Sequence, residues 1–219
     1  MPYQQISSYN FNCNACHTRC DGTTVPQFDF ERDVRFSEKI ENRVISYINA
    51  SHRNLAASKC ADAGYPDIQI CSNGLSGGDV LCYIEIKGQA RTFMSVAKLL
   101  PKSGLHTSET LALNLSDLER YFTIFDKTGI RTFIVWCLMR RPCITGNNFN
   151  NTVYFHQDIT ILRKIRRLDV YDSRKFRRAS GTGDIVNGEH KGVTVNYHFS
   201  INELIPGLPK LQCNQRNSF

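Results

Sequence analysis

Apolar residues recur at helical spacing in the first third of the chain. Between residues 36 and 50 they return every three or four positions, which is the spacing of an amphipathic helix, and Ser37 is available as its N-cap. The apolar stripe consists of Ile40, Val44, Ile45 and Ile48. The pattern therefore predicts a helix that packs one face against a core.

Two short runs of β-forming residues follow, at residues 65–70 and 83–89, and the Gly-rich stretch between them predicts a hairpin. Charged residues interrupt both runs: Asp67 in the first, Glu85 and Lys87 in the second. Because side chains alternate along a strand, Glu85 and Lys87 are predicted to share one face. We expect Asp67 to lie beside Glu85 across the hairpin.

The hydrophobic pattern continues with a second helix and a buried strand. Ser116 and Glu119 have the spacing of a capping box, and Gly129 supplies a C-terminal stop for the helix. Residues 130–138 are rich in apolar residues and predict a buried strand. The pattern of residues 91–114 indicates a variable region, and we expect it to form a solvated loop. Further elements that extend the core are predicted near residues 153–156 (strand), 158–166 (helix) and 193–199 (strand).

The three charged side chains of the hairpin suggest a chemical function. On a largely apolar sheet such charges are costly unless they bind something. Mg²⁺ prefers oxygen ligands, and one or two carboxylates plus a substrate phosphate can hold it. The ammonium of Lys87 can orient a water molecule or stabilise charge on a phosphate. The alternative is an exposed cross-strand charge ladder of Glu85 and Lys87, with Asp67 as a turn residue.

The string Pro66-Asp67, followed by Glu85-Ile86-Lys87, resembles the two half-motifs of the PD-(D/E)XK nuclease superfamily. The resemblance implies an α-β-β-β-α-β core and hydrolysis of phosphodiester bonds with Mg²⁺ or Mn²⁺. It also implies that Asp67 and Glu85 bind the metal and that Lys87 acts on the attacking water or the transition state. The bare motif is short, so the order of the surrounding helices and strands adds to its weight.

Two further residues match the family pattern. Many members carry a glutamate on the first helix, and Glu41 is the best match for this metal ligand, with Glu38 as the competitor. The run from Glu41 to Ser46 looks like the start of archaeal Holliday-junction resolvases. Some members place a glutamine shortly after the lysine, and Gln89 fits that position as a helper of Lys87. The resemblance spans roughly residues 36–140.

The charge balance indicates an anionic partner. The chain has 219 residues, a formal net charge of +7 and a pI near 9.0. Two basic segments, residues 163–167 and 174–178, lie close together with Tyr171 and Phe176 among them. Such a cluster can neutralise DNA phosphates, although a solvated helical face is the alternative. The candidate DNA-binding residues are Arg163, Lys164, Arg166, Arg167, Arg174, Lys175, Arg177 and Arg178.

The nine cysteines include one group with metal-binding spacing. Cys13, Cys16 and Cys20 form half of a zinc knuckle, for which a fourth ligand is needed. Candidates for that ligand are His17, His52, Cys60 and Cys213. Some relatives of the nuclease superfamily instead hold an iron–sulfur cluster through three clustered cysteines and a remote one, and a thiol-bearing mobile N-terminus is the third possibility. The odd number of cysteines, without a secretory or membrane-spanning segment, predicts a reducing, cytoplasmic location.

These observations together predict an α/β protein with a restriction-endonuclease-like core, in which helices flank a mixed central β-sheet. We expect a Cys-rich appendage (1–30), a nuclease core (31–142) and a C-terminal extension with the basic segment (143–219). The favoured function is a Mg²⁺-dependent DNA endonuclease of the type II restriction kind. A junction resolvase or repair nuclease, and a DNA-binding protein that does not cut, remain open. Paired cuts on two strands predict a homodimer.

Overall fold

The computed structural model describes residues 30–72, 78–89, 92–139, 142–145, 152–177, 185–186, 189–190 and 195–211. The Cys-rich segment with Cys13, Cys16 and Cys20 lies outside these ranges, as do Arg178 and Cys213. The predicted zinc or iron–sulfur site therefore stays a prediction.

The described residues alternate between helices and strands. The helices are α1 (Phe30–Ser51), α2 (Val96–Leu99), α3 (Leu115–Thr128), α4 (Pro142–Thr145) and α5 (Ile159–Leu168), with a 3₁₀ turn at Ile201–Glu203. The strands are β1 (Leu55–Lys59), β2 (Ile68–Ser72), β3 (Val80–Gln89), β4 (Thr110–Asn114), β5 (Arg131–Met139), β6 (Thr152–Asp158), β7 (Lys175–Arg177), β8 (Ile185–Val186), β9 (Glu189–His190), β10 (Val195–Ser200) and β11 (Ile205–Pro206).

A six-stranded mixed sheet forms the centre of the fold, in the order β1-β2-β3-β5-β6-β11. The pair β3 and β5 is parallel, and the other neighbours are antiparallel. The connection from β3 to β5 passes through α3, as a crossover between parallel strands requires. The sequence pattern had not marked β1, whose short run Leu55–Lys59 carries only a weak apolar alternation.

Helix α1 covers one face of this sheet. It starts well before the predicted position, so Ser37 lies inside the helix and the prediction that it is the N-cap is wrong. The predicted apolar stripe is confirmed in part, because Ile40, Val44 and Ile48 are buried against the sheet. Gly88 allows α1 to approach β3 closely, since a Cβ atom at this position would lie 2.9 Å from the Phe36 ring.

Helices α3 and α5 cover the opposite face. Their buried side chains belong to a second apolar cluster that includes Trp136 and Phe155 of the central sheet. Strand β3 separates the two clusters by its alternation: Ile84 and Ile86 face α1, whereas Tyr83 faces α3 and α5. The fold is therefore a mixed α/β architecture with helices on both faces of the sheet, as the sequence predicts.

The boundaries of α3 are partly as expected. The helix ends at Gly129, which has a left-handed φ of 67° and donates its N–H to the carbonyl of Phe125. Its N-cap is Asn114, without a side-chain capping bond, so the predicted capping box at Ser116 is wrong. The buried strand predicted after Gly129 is confirmed as β5.

A second, three-stranded sheet has the order β4-β10-β7. Strand β4 lies within the segment predicted as a solvated loop, and this prediction is wrong for Thr110–Asn114 because Leu111 and Leu113 are buried. These side chains pack against the α3 and α5 cluster. None of the helices in the described ranges has the length and hydropathy needed to cross a membrane.

Candidate active site

The β2–β3 hairpin places two carboxylates side by side. Its antiparallel register pairs Ile68 with Ile84, so Asp67 lies opposite Glu85. The backbone N–H of Asp67 donates to Oε2 of Glu85 at 3.3 Å, and the N–H of Ile86 donates to Oδ2 of Asp67 at 2.8 Å. The adjacency expected from the sequence is thus present.

Lys87 shares the face of Glu85 and lies against it. Its Nζ atom is 2.5 Å from Oε1 of Glu85 and 3.4 Å from Oδ2 of Asp117, which lies in the first turn of α3. The guanidinium of Arg120 is 3.0 Å from the other Asp117 oxygen. The ammonium is therefore held between a carboxylate of the sheet and a carboxylate of the helix.

The side chains that α3 contributes to the site were not predicted as site residues from the sequence. Asp117 lies thirty residues beyond Lys87, and only the packing of α3 on the sheet brings the two side chains together. Tyr121 is buried beneath Glu85 and hydrogen-bonds to it, and the Arg120 guanidinium donates to the Tyr121 hydroxyl at 3.2 Å. The capping-like string around Asp117 was the one signal available in the sequence, and it pointed to a helix start.

Burial shifts the protonation equilibria of this site. Glu85 is 3 % exposed. Burial, together with repulsion from Glu85, raises the pKa of Asp67 to about 7. Burial acts to lower the pKa of Lys87, but attraction from Glu85 and Asp117 outweighs it, so the pKa of Lys87 is raised. Lys87 therefore stays a cation, whereas Asp67 takes up a proton near neutral pH because its negative charge is poorly compensated.

Glu41 lies on α1, which covers the other face of the sheet. Its Oε2 atom is 3.0 Å from Nζ of Lys59, and this hydrogen bond raises the pKa of Lys59. Glu41 remains close enough to Asp67 to contribute to its raised pKa. It is thus an electrostatic neighbour of the carboxylate pair, with its own cationic partner.

Gln89 connects the hairpin to the second sheet. Its side-chain nitrogen donates to the carbonyl of Thr110 at 3.3 Å, and its Oε1 accepts from the N–H of Ala112 at 3.4 Å. Gln89 thereby links the end of β3, two residues after Lys87, to strand β4.

The donor set fits a hard divalent cation. Within the described part of the chain, no group of three or more His, Cys, Asp or Glu residues has metal-binding geometry. The pair Asp67 and Glu85 nevertheless offers close carboxylate oxygens, which suit Mg²⁺ or Mn²⁺ because these ions retain water and take substrate oxygens as further ligands. Burial and repulsion from Glu85 raise the pKa of Asp67, and a cation beside the pair would offset both effects.

The basic residues of the C-terminal extension divide into two groups. Arg163, Arg166 and Arg174 pair with Asp126, Asp172 and Glu203 at 2.7, 2.6 and 2.7 Å. In contrast, Lys164, Arg167 and Arg177 are exposed and form no ion pair within the described residues. Lys175 is exposed but lies 3.6 Å from an Asp172 oxygen. Phe176 packs against Phe93, with ring centroids 5.8 Å apart, and is not available as a surface aromatic.

Comparisons with known proteins give similarities in structure only. No family model matches the chain, and no curated protein matches it. The chain is similar to Hjc of Archaeoglobus fulgidus, a Holliday junction resolvase, with 12% identity, a TM-score of 0.39 and coverage of 78% of this chain and 91% of that chain. It is also similar to D212, a nuclease from a fusselovirus, with 8% identity, a TM-score of 0.41 and coverage of 83% and 89%. At these identities the chemistry has to be argued from the side chains of this chain.

Proposed function

We propose that this protein is a metal-dependent nuclease that hydrolyses phosphodiester bonds in DNA. The observation that carries the proposal is the meeting of Asp67, Glu85 and Lys87 on one face of the hairpin. Two adjacent carboxylates and a cation, partly withdrawn from water, are costly to the fold and are typical of a site that binds a metal and a phosphate.

Asp67 and Glu85 are proposed to hold Mg²⁺, or Mn²⁺ in its place. The ion, when bound, neutralises charge that develops on the phosphate and acidifies a coordinated water. Glu41 is proposed as an additional carboxylate whose release from Lys59 would bring it to the same cation. The hydrogen bond from the N–H of Ile86 to Oδ2 of Asp67 orients the Asp67 carboxylate in the metal-free chain.

Lys87 is proposed to act as a hydrogen-bond donor and cation at the reacting phosphate. Its raised pKa keeps the ammonium protonated, so it can orient the attacking water or stabilise a phosphate oxygen, and it is unsuited to remove a proton. Gln89 is proposed to help by fixing the end of β3 through its bonds to β4.

DNA as the substrate is supported by the net charge of +7 and by the exposed cations Lys164, Arg167 and Arg177. Within this proposal, a site-specific endonuclease that acts as a homodimer in a reducing, cytoplasmic compartment is the favoured form. Cleavage of branched junctions is the alternative, because residues 41–46 resemble junction resolvases. A protein that binds DNA without cutting remains the other class.

The deciding experiment is cleavage of supercoiled plasmid, linear duplex and a four-way junction with Mg²⁺ or Mn²⁺. Asp67→Asn and Lys87→Met are compared with Asp79→Asn and Lys98→Met, which change exposed residues of the same types. We expect the two site variants to lose activity by about 10²–10⁴-fold, and the controls to keep it.

The cleavage pattern separates the forms of the proposal. Discrete plasmid fragments indicate site-specific cutting, whereas cutting of the junction alone indicates a resolvase. Full activity in Asp67→Asn or Lys87→Met would contradict the assigned site. Metal-independent binding of all three DNAs with no cutting would favour the non-catalytic alternative.

A further inference from the structure

An exposed apolar turn follows α5. The described part of the chain has seven exposed large hydrophobic residues, and three of them lie within the four consecutive positions 168–171. Leu168 is 60% exposed, Val170 76% and Tyr171 89%. Single exposed apolar residues are ordinary, but a local group of them points to a contact surface.

The backbone of this turn is held firmly from below. Oδ1 of Asp169 accepts hydrogen bonds from the N–H and the hydroxyl of Ser173, at 2.8 and 2.7 Å. Its Oδ2 atom accepts from the N–H of Arg174 and from the hydroxyl of Tyr197, at 3.1 and 3.0 Å. The side chain of Asp169 thereby ties the turn to β7 and β10.

The other end of the turn is also fixed. Asp172 has a left-handed φ of 51°, its carboxylate lies 2.6 Å from the Arg166 guanidinium, and its carbonyl accepts the N–H of Lys175. An aspartate can adopt this conformation at a modest cost. The turn is consequently a rigid platform that presents Val170 and Tyr171 to solvent, and little conformational entropy remains to be lost when a partner binds.

The charge around the platform is positive. Lys164 and Arg167 are exposed on the last two turns of α5, and Arg177 is exposed on β7. Asp172 pairs with Arg166, and the single charge of Asp169 is fewer than the three of Lys164, Arg167 and Arg177, so a positive excess remains. An apolar tip surrounded by cations is complementary to a polyanion that also offers flat apolar surfaces.

The platform belongs to the helix layer that also covers the candidate active site. Glu85 and Lys87 alternate with Ile84 and Ile86 on β3 and so share the face of Tyr83. The buried side chains of α5 belong to the same cluster as Tyr83. One bound nucleic acid can therefore approach the carboxylate pair and the α5 turn from the same side of the sheet.

We propose that Tyr171 stacks on an unpaired base of the nucleic acid, with Val170 beside it and Lys164 and Arg167 on the neighbouring phosphates. This inference takes its partner from the proposed function, and it adds the class of substrate. In a continuous duplex the faces of the bases are covered by their neighbours, so a stacking tyrosine needs a bulge, an open branch point or a single strand. The preferred substrate is therefore nucleic acid with locally unpaired bases, which favours the junction-cleaving alternative of the proposed function over site-specific cutting of continuous duplex.

The test measures binding in EDTA, where no cleavage occurs. The probes are a continuous duplex, the same duplex with a bulge that contains 2-aminopurine, and a single strand of equal length. Tyr171→Ala and Tyr171→Phe are compared with Tyr47→Ala, which removes an exposed tyrosine from α1 on the other face of the sheet. Thermal denaturation of each variant checks that the fold is intact.

We expect Tyr171→Ala to weaken binding of the bulged and single-stranded probes by about 5- to 100-fold, as loss of one stacked base predicts. Tyr171→Phe keeps the ring, so its affinity for these probes should stay within about twofold of the parent. The affinity for the continuous duplex should also stay within about twofold of the parent in Tyr171→Ala, Tyr171→Phe and Tyr47→Ala. Lys164→Ala with Arg167→Ala should weaken all probes and lower the salt slope by about two. The 2-aminopurine fluorescence should respond to the parent, to Tyr171→Phe and to Tyr47→Ala, and should not respond to Tyr171→Ala.

Equal binding of the bulged probe by the parent and Tyr171→Ala would overturn the inference, while cleavage by the parent in Mg²⁺ would still uphold the nuclease. Conversely, a Tyr171-dependent preference without cleavage of any DNA would uphold the platform and reject the nuclease. A parent that binds none of the probes would also overturn the inference.

Discussion

Two groups of buried charged residues in the described part of the chain can be compared, because their carboxylate oxygens have different numbers of hydrogen-bond donors. In the first group, the candidate active site, one oxygen of Asp67 accepts a backbone hydrogen bond, and the described residues supply no donor to the other. In the second group, Arg174 donates to both carboxylate oxygens of Glu203 at 2.8 and 2.7 Å, and the N–H of Ser200 donates to one of them at 2.9 Å.

The second group continues to a further carboxylate. Oε1 of Glu109 accepts the N–H of His106 at 2.7 Å, and Oε2 accepts from the Ser200 hydroxyl and the Asn202 amide at 2.9 and 3.1 Å. These bonds fasten the segment before β4 to the end of β10. Each carboxylate oxygen in this group has a donor, so the group has the features of a structural anchor.

This difference in hydrogen bonding distinguishes the candidate active site from the second group, which acts as a structural anchor. Both groups are charged and largely buried, and sequence inspection assigned Arg174 to DNA binding on its position in a basic run. Its bonds to Glu203 instead commit the guanidinium to the fold. Asp67, which has a donor on only one of its carboxylate oxygens, is the group whose pKa is raised and is the better candidate for an external cation.

The largest expected effect comes from breaking the anchor. Arg174→Met leaves the carboxylate of Glu203 buried without its cation, and we expect the free energy of unfolding to fall by about 3–5 kcal/mol. Urea denaturation measures the change. The double variant Arg174→Met with Glu203→Gln removes the stranded charge and should recover part of the loss. If Arg174→Met is as stable as the parent but binds DNA more weakly, Arg174 is a DNA-binding residue and not an anchor.

A smaller effect is expected from loosening Lys87 within the site. Asp117→Asn removes the helix carboxylate that helps to hold the ammonium, and the single-turnover cleavage rate should fall by about tenfold because the lysine is less well positioned. DNA affinity and thermal stability should change little. Glu119→Gln, an exposed change on the same helix, is the matched control. An unchanged rate in Asp117→Asn would show that Glu85 alone positions Lys87.

The smallest expected effect is on the free energy of unfolding, which is lowered by the buried negative charge of Asp67. The pKa of Asp67 is raised to about 7 in the folded chain from a model-peptide value of 3.8, so the folded state binds more protons between these values. The stabilising contribution of protonated Asp67 is thus present below about pH 4 and is lost as the pH rises through about 7. Asp67→Asn should therefore raise the free energy of unfolding by about 1 kcal/mol at pH 8 in EDTA, and much less at pH 4.5.

Denaturation of the parent, Asp67→Asn and the exposed control Asp79→Asn at both pH values tests this sign. Addition of Mg²⁺ at pH 8 should stabilise the parent and leave Asp67→Asn unaffected, because the ion binds only the complete carboxylate pair. An Asp67→Asn protein that is less stable than the parent at pH 8 would place Asp67 with the anchor residues.

Local patterns were sufficient for the hairpin. The alternation along β3 and the short connection to β2 place Asp67, Glu85 and Lys87 together without reference to the rest of the chain. The stripe of α1 and the stop at Gly129 are likewise set by neighbouring residues. Helix starts were harder, because Ser37 and Ser116 had suitable residue types at positions that the backbone did not use as caps.

The sequence by itself determined the class of fold and the charged hairpin, since both depend on residue alternation over a few positions. Only the tertiary structure decided which distant side chains join them. Asp117 reaches Lys87 through the packing of α3, and Arg174 finds Glu203 twenty-nine residues later across the second sheet. The physical reason is that burial decides the role of a charged residue, and burial is fixed by the packing of elements that are remote in the chain.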